Sequence, residues 1–186
     1  MNIVITSKEA IMQECRLIVA KQGFKSLNMR LVADKCHIAL GTLYNYYADK
    51  DELVLATVES IWRDIFHAGR PCGKESSFPD YVEELYVRIR EGAEAYPRFL
   101  TDHSISIAAS RQVEAKNVME HTFAHMKAGM RKVLQRDPAV SEHAFSASFP
   151  EEDFIGFVLD WLLLLLVQGR QDCSILLEMI RRSIYQ

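Results

Sequence analysis

An all-α fold of about nine helices is what this 186-residue chain predicts, on three observations. Helix-start signals recur along it. Apolar residues return at three- and four-residue spacing, the period of one helix face. No segment sustains the two-residue alternation of a half-buried strand, and no internal repeat is evident.

The elements follow in order. Thr6-x-x-Glu9 reads as a capping box, opening a helix that turns Ile11, Cys15 and Ile18 inward and ends at Gly23, where a left-handed residue belongs. Asn28 is an N-cap for a short helix, Met29 to Cys36, with Leu31, Val32 and Cys36 inward. A third short helix spans about Leu40 to Tyr47. Asp49-x-x-Glu52 is a second capping box, starting a long helix that carries Leu53, Ala56, Ile61 and Ile65. The Pro, Gly and Ser residues between Arg70 and Pro79 mark a linker. Helices are expected again at Asp80 to Ala95, Pro97 to Ser110 and about Gln112 to Gln135. After a second break, Ser148-x-x-Glu151 is a third capping box for a strongly apolar helix closed by Gln168-Gly169, and a last helix runs from Asp172 to Tyr185.

Composition bounds the function. The chain is 49% hydrophobic and 25% charged, with a net charge of -3, which removes disordered, collagen-like and disulfide-scaffold classes and any protein coated with positive charge. Residues 1 to 53 hold 7 Lys/Arg against 6 Asp/Glu, and residues 54 to 186 hold 15 against 19, so the acidity lies mostly in the larger part. Cys15, Cys36, Cys72 and Cys173 form no C-x-x-C pair, and scattered thiols suit a reducing compartment. Met1 to Ser7 is too short for a signal-peptide core, and Phe154 to Val167, with Asp160 inside, falls short of the roughly 20 residues of a spanning helix. A cytoplasmic protein with no membrane partner, no cofactor and no metal is expected. His121 and His125, four apart on one helix, are only half of a metal site, and a surface or pocket pair is the plainer reading. A phosphate-cradling loop and a nucleophile elbow are both absent, so the sequence supplies little for an enzyme.

Function concentrates in residues 28 to 47, two short helices about three residues apart. Ala33 is small where the helices must cross, and Ile38 fills the gap between them, which is what a helix-turn-helix needs. From Ile38 to Ala48 there is no charged residue, yet Thr42, Tyr44, Asn45, Tyr46 and Tyr47 crowd the segment. Hydroxyls bind phosphates, and an Asn makes two bonds to adenine in the major groove. Lys50 stands in the first turn of the next helix, where free amides favour a phosphate, and Arg30 is placed to reach backbone phosphates. Spacing alone equally allows a packed aromatic stripe.

The order of residues says more. Leu31-Val32-Ala33, followed by Gly41-Thr42-Leu43-Tyr44-Asn45-Tyr46-Tyr47-Ala48-Asp49-Lys50-Asp51-Glu52-Leu53, closely resembles the signature of the TetR family of bacterial repressors over about the first 55 residues. The resemblance implies a DNA-binding domain at 1–53, of three helices, joined by a long fourth helix to a helical ligand-binding and dimerisation domain at 54–186. It implies phosphate contacts from Thr42, Tyr44 and Lys50, a retained donor at Tyr46, base reading by Leu40, Gly41 and Asn45, and a helix-2 contact from Arg30. Three residues depart from the family pattern: His37 replaces a turn glycine, Ala39 replaces a serine N-cap, and Leu40 replaces a polar or basic residue.

The family holds its effector among the middle helices, which implies a mainly apolar pocket among Trp62, Phe66, Phe99, His103, Met119, Phe123 and Met126, although each of these serves equally as plain core. The run Trp161 to Val167 is apolar all round and must be covered, either within the chain or by a second copy. A homodimer is expected, with Phe157, Trp161, Leu164, Leu165, Leu176, Met179 and Ile180 at its interface. The function expected is a dimeric, ligand-responsive transcriptional regulator, a repressor, on a palindromic double-stranded DNA operator and released by a partly apolar small molecule. The alternative is a partner-binding co-regulator with weakened DNA contact, motivated by His37, Ala39 and Leu40.

Overall fold

The computed structural model describes residues 7–67, 77–97, 99–100 and 113–185. Among these lie eight α-helices and no strand: α1 (Lys8–Gln22), α2 (Met29–Lys35), α3 (Leu40–Tyr44), α4 (Lys50–His67), α5 (Phe78–Glu94), α6 (Val113–Leu134), α7 (Glu151–Val167) and α8 (Ser174–Ile184). A 3-10 turn, Phe24–Ser26, follows α1, and one isolated bridge joins Ser146 to Phe149. The all-α expectation holds. Most of the helix expected at 97–110 and of the linker at 70–79 lies outside the described residues. No helix is long and apolar enough, among those described, to cross a membrane.

The chain divides into two compact units, one of Met1–Ala68 with Gly92–Met119, the other of Gly69–Glu91 with Glu120–Gln186. The division falls inside α5 and α6 rather than at the expected boundary after residue 53, so all of α4 belongs to the first unit.

In the first unit α1 packs on α4 and α2, and α2 packs on α3. Its core is Ile11, Cys15, Ile18, Val32, Leu43, Leu53, Ile61 and Ile65, each 3% exposed or less. Cys15 is sealed beside Thr57, and burial pushes its thiol up to about 12. An aromatic group completes the unit: Trp62 meets Phe99 edge-on at 5.2 Å and stacks on Phe66 at 5.7 Å, while Phe99 stacks on Phe24 at 5.9 Å. Ring pairs at these separations add specific attraction to the apolar area they bury. Gly92 is small of necessity, because a Cβ there would lie 2.9 Å from Ile65 Cγ2.

Three expected helix starts change in detail. α1 is capped by Ser7, whose Oγ accepts from Ala10 N at 3.1 Å, one residue later than the Thr6 box; Thr6 lies outside the described residues. Glu9 is released to pair with Arg16 at 3.0 Å. α7 begins on Pro150 with no side-chain cap, since Ser148 bonds Ser146 instead, and Glu151, Glu152 and Asp153 answer the helix dipole in its first turn. α8 begins at Ser174, whose amide bonds Asp172 Oδ1 at 3.0 Å.

The second unit buries Phe78, Val82, Leu85 and Ile89 of α5, Met126 and Met130 of α6, six residues of α7 and four of α8. Two loop carbonyls between α7 and α8 are held by α5, Arg170 O by the Tyr86 hydroxyl at 2.6 Å and Gln171 O by Arg90. Asp137 gathers three donors, the amides of Phe78 and Ala139 and the Tyr185 hydroxyl. Burial alone would raise that carboxyl, but these bonds outweigh it and hold it below its ordinary value.

Candidate nucleic-acid interface

The interface is built on the α2–turn–α3 segment. Asn28 starts α2 as expected, its Oδ1 accepting from Leu31 N at 3.0 Å and its Nδ2 donating to Ser26 O at 3.1 Å. α2 stops at Lys35. His37 then takes φ 54°, the left-handed conformation that glycine favours. Its amide donates to Asp34 O and that of Ile38 to Ala33 O, both at 3.0 Å. This pair of bonds is a Schellman closure, and it fixes the angle at which α3 leaves α2.

α3 is shorter than expected, five residues rather than eight. After Tyr44 the chain bends through Asn45 and Tyr46, whose amides bond Thr42 O and Leu43 O. The bend buries Tyr47 (4% exposed) under the Lys8 ammonium, 5.8 Å from the ring centroid, and burial pushes the hydroxyl up to about 12. Tyr47 is therefore an anchor and not a contact residue. With Leu43 (0%) on the inner side, the outer side exposes Gly41, Tyr44 (48%) and Asn45, and Leu40, Thr42 and Tyr46 in smaller part. Arg30 and Lys50 are exposed.

The start of α4 carries side-chain caps of its own. Lys50 is expected beside free amides, but Asp49 Oδ1 takes the Glu52 amide at 2.8 Å and Glu52 Oε2 takes that of Ala48 at 2.6 Å. The capping box forms, with Glu52 reaching one residue further back than usual. The exposed side chains of Asp49, Asp51 and Glu52 flank Lys50 at the helix start.

The other predicted groups are distributed as follows. Trp62 and Phe99 are buried and Phe66 is half-buried in the first unit; Met126 is buried and Phe123 half-buried in the second. His103 and the side chains of Met119 and His121 lie outside the described residues, and His125 is exposed. Among the described residues no cluster of His, Cys, Asp or Glu could hold a metal ion. On α7, Phe157 is 49% exposed and Trp161 and Leu164 are 39% exposed; Leu165 is half-exposed, and Met179 of α8 is 42% exposed. Leu176 and Ile180 do not belong with them. They are 2% and 1% exposed, spent in the chain's own core because the inner face of α8 is one residue out of phase with its outer face. Val167 (39%) and Ile175 (70%) take their place on the bare surface. The three- and four-residue steps from Phe157 through Trp161 and Leu164 to Val167 carry the signal for the first of these.

The geometry has counterparts. Residues 16–57 match the family of bacterial regulatory proteins, tetR family. Among curated proteins, the HTH-type transcriptional repressor KstR of Mycobacterium tuberculosis is 33% identical over 51 residues, a stretch covering 27% of this chain and only 23% of that protein. Among solved structures, BioQ with its double-stranded DNA operator aligns at TM-score 0.67 and 17% identity over 96% of this chain and 97% of that one. A TetR-family regulator from Haemophilus influenzae aligns at TM-score 0.60 and 18% identity over 96% of both chains. At such identities the structural matches establish the fold. The family match falls on the segment described above: residues 16–57, which hold α2, the turn and α3, are similar to the tetR family of bacterial regulatory proteins.

Proposed function

We propose that this chain is a dimeric, ligand-responsive transcriptional regulator that represses by binding a palindromic operator. The observation that carries the reading is α3 itself: Leu43 and Tyr47 lock it inward while Gly41, Tyr44 and Asn45 stand in solvent beside Arg30 and Lys50. Tyr44, Thr42 and Lys50 position the backbone, and Asn45 reads a base edge. The bare apolar residues of α7 and α8 support a second copy, which would set two recognition helices one helical turn apart. The aromatic and Met residues of the body support a partly apolar effector. It would act by favouring a dimer whose recognition helices are spaced wrongly for the operator.

Retardation of the DNA upstream of its own gene tests the reading. Tyr44→Ala and Lys50→Ala are expected to weaken binding to all duplexes alike, whereas Asn45→Ala alters sequence preference. A second reading, a co-regulator that binds another protein, is favoured by the uncapped Ala39 at the start of α3. It predicts no footprint on any DNA and a stable complex with a partner.

A further inference from the structure

The leading edge of α3 has no side chain able to form a hydrogen bond. Ala39 is exposed and caps nothing, Leu40 is partly exposed, and Gly41 is exposed. The polar residues begin only at Thr42. N-terminal residues of a recognition helix are those that meet base edges, so this edge discriminates by shape and apolar contact alone.

Gly41 sharpens the point. Its backbone is not left-handed, and nothing lies within 4 Å of the place where a Cβ would stand. A glycine inside a five-residue helix weakens that helix, and no neighbour within this chain requires the missing methyl. The missing side chain leaves room for something outside the chain, directly beside the partly bare Leu40.

In the major groove only one base edge offers an apolar group, the C5-methyl of thymine. The other edges present donors or acceptors that a leucine would strip of water without replacing. Building on the DNA-binding reading above, we propose that Leu40 is a specificity-determining residue. It packs on a pyrimidine 5-methyl group, with Gly41 admitting the base edge, so each operator half-site carries a thymine at this step.

The test begins with duplexes enriched from a random pool by the purified protein and resynthesised with single deoxyuridines in place of thymidine. This removes one methyl and leaves pairing intact. One thymine per half-site is expected to be sensitive, with about a fourfold loss of affinity, the equivalent of one buried methyl. 5-Methylcytosine at that step should bind better than cytosine. Leu40→Ala should bind the thymine and deoxyuridine duplexes equally, and selection with Leu40→Gln should move the preference towards adenine. Gly41→Ala is expected to raise the melting temperature while lowering affinity, a split that a purely structural glycine does not produce. Tolerance of deoxyuridine at every position, or undiminished methyl sensitivity in Leu40→Ala, overturns the inference while leaving DNA binding intact. A pool that enriches no duplex overturns the DNA-binding reading, and this inference with it.

Discussion

Three helices of the first unit and the apolar helix α7 are started by opposite means. α1, α2 and α4 start on side-chain oxygens, those of Ser7, Asn28 and Asp49. α7 and α8 start on Pro150 and Cys173, and neither side chain caps anything. Instead α7 buries six apolar residues and still leaves Phe157, Trp161, Leu164 and Val167 bare. A seven-residue helix such as α2 cannot live on propensity, so local bonds must define it. A seventeen-residue apolar helix is secured by burial, and it carries apolar surface beyond what its own core uses.

The surplus can be attacked first. Trp161→Glu is expected to weaken self-association on the order of a hundredfold, since aromatic anchors dominate such interfaces. Light scattering reads it, and an unchanged dimer would remove α7 from the proposed interface. Within the buried face, Leu162→Ala should cost about 2–5 kcal/mol in denaturant unfolding, as expected of a fully buried leucine.

A smaller effect attends the cluster around Asp137 in the second unit. Tyr185→Phe removes a donor from Asp137 and should cost about 1 kcal/mol at neutral pH. Because the folded carboxyl titrates below its unfolded value, its contribution is whole above the ordinary carboxylate range and fades as pH falls through the folded value. The gap between wild type and variant should therefore close on acidification.

In the capped module, Asp49→Ala is expected to cost about 1 kcal/mol. His37→Gly should go the other way, adding about 0.5 kcal/mol by relieving a left-handed residue that carries a Cβ. A destabilised His37→Gly would show that the imidazole makes a contact worth more than the strain.

The same contrast explains what was legible. Asn28, Asp49, Gly169 and the turn at His37 are local signals, written within four residues of their effect, and each stands where the sequence places it; Gly23 does end α1, but at φ 75° and ψ 170°, outside the left-handed helical region expected of it. The exposed side of α3 was legible for that reason too: the buried Leu43 fixes which face of α3 looks out. Failures came where a neighbour distant in sequence decides. The exception is Ser148, which bonds Ser146 only two residues away instead of capping α7. The apolar stripe of α8 gives no sign that Leu176 and Ile180 are consumed internally while Ile175 and Met179 are left over, since adjacent residues differ by only about 100° around the axis. The early end of α3 depends likewise on a pocket for Tyr47 that only the packed module provides.

Sealing Cys15 has a use beyond packing. With no exposed surface and a thiol pushed to about 12, it is shut off from alkylating reagents while the module is closed. Modification at this position must wait for α1 to part from α4, so its rate counts openings of the DNA-facing module. Followed by mass spectrometry of the peptide that carries Cys15, the thiol becomes an internal clock, and a duplex that clamps the module should slow it.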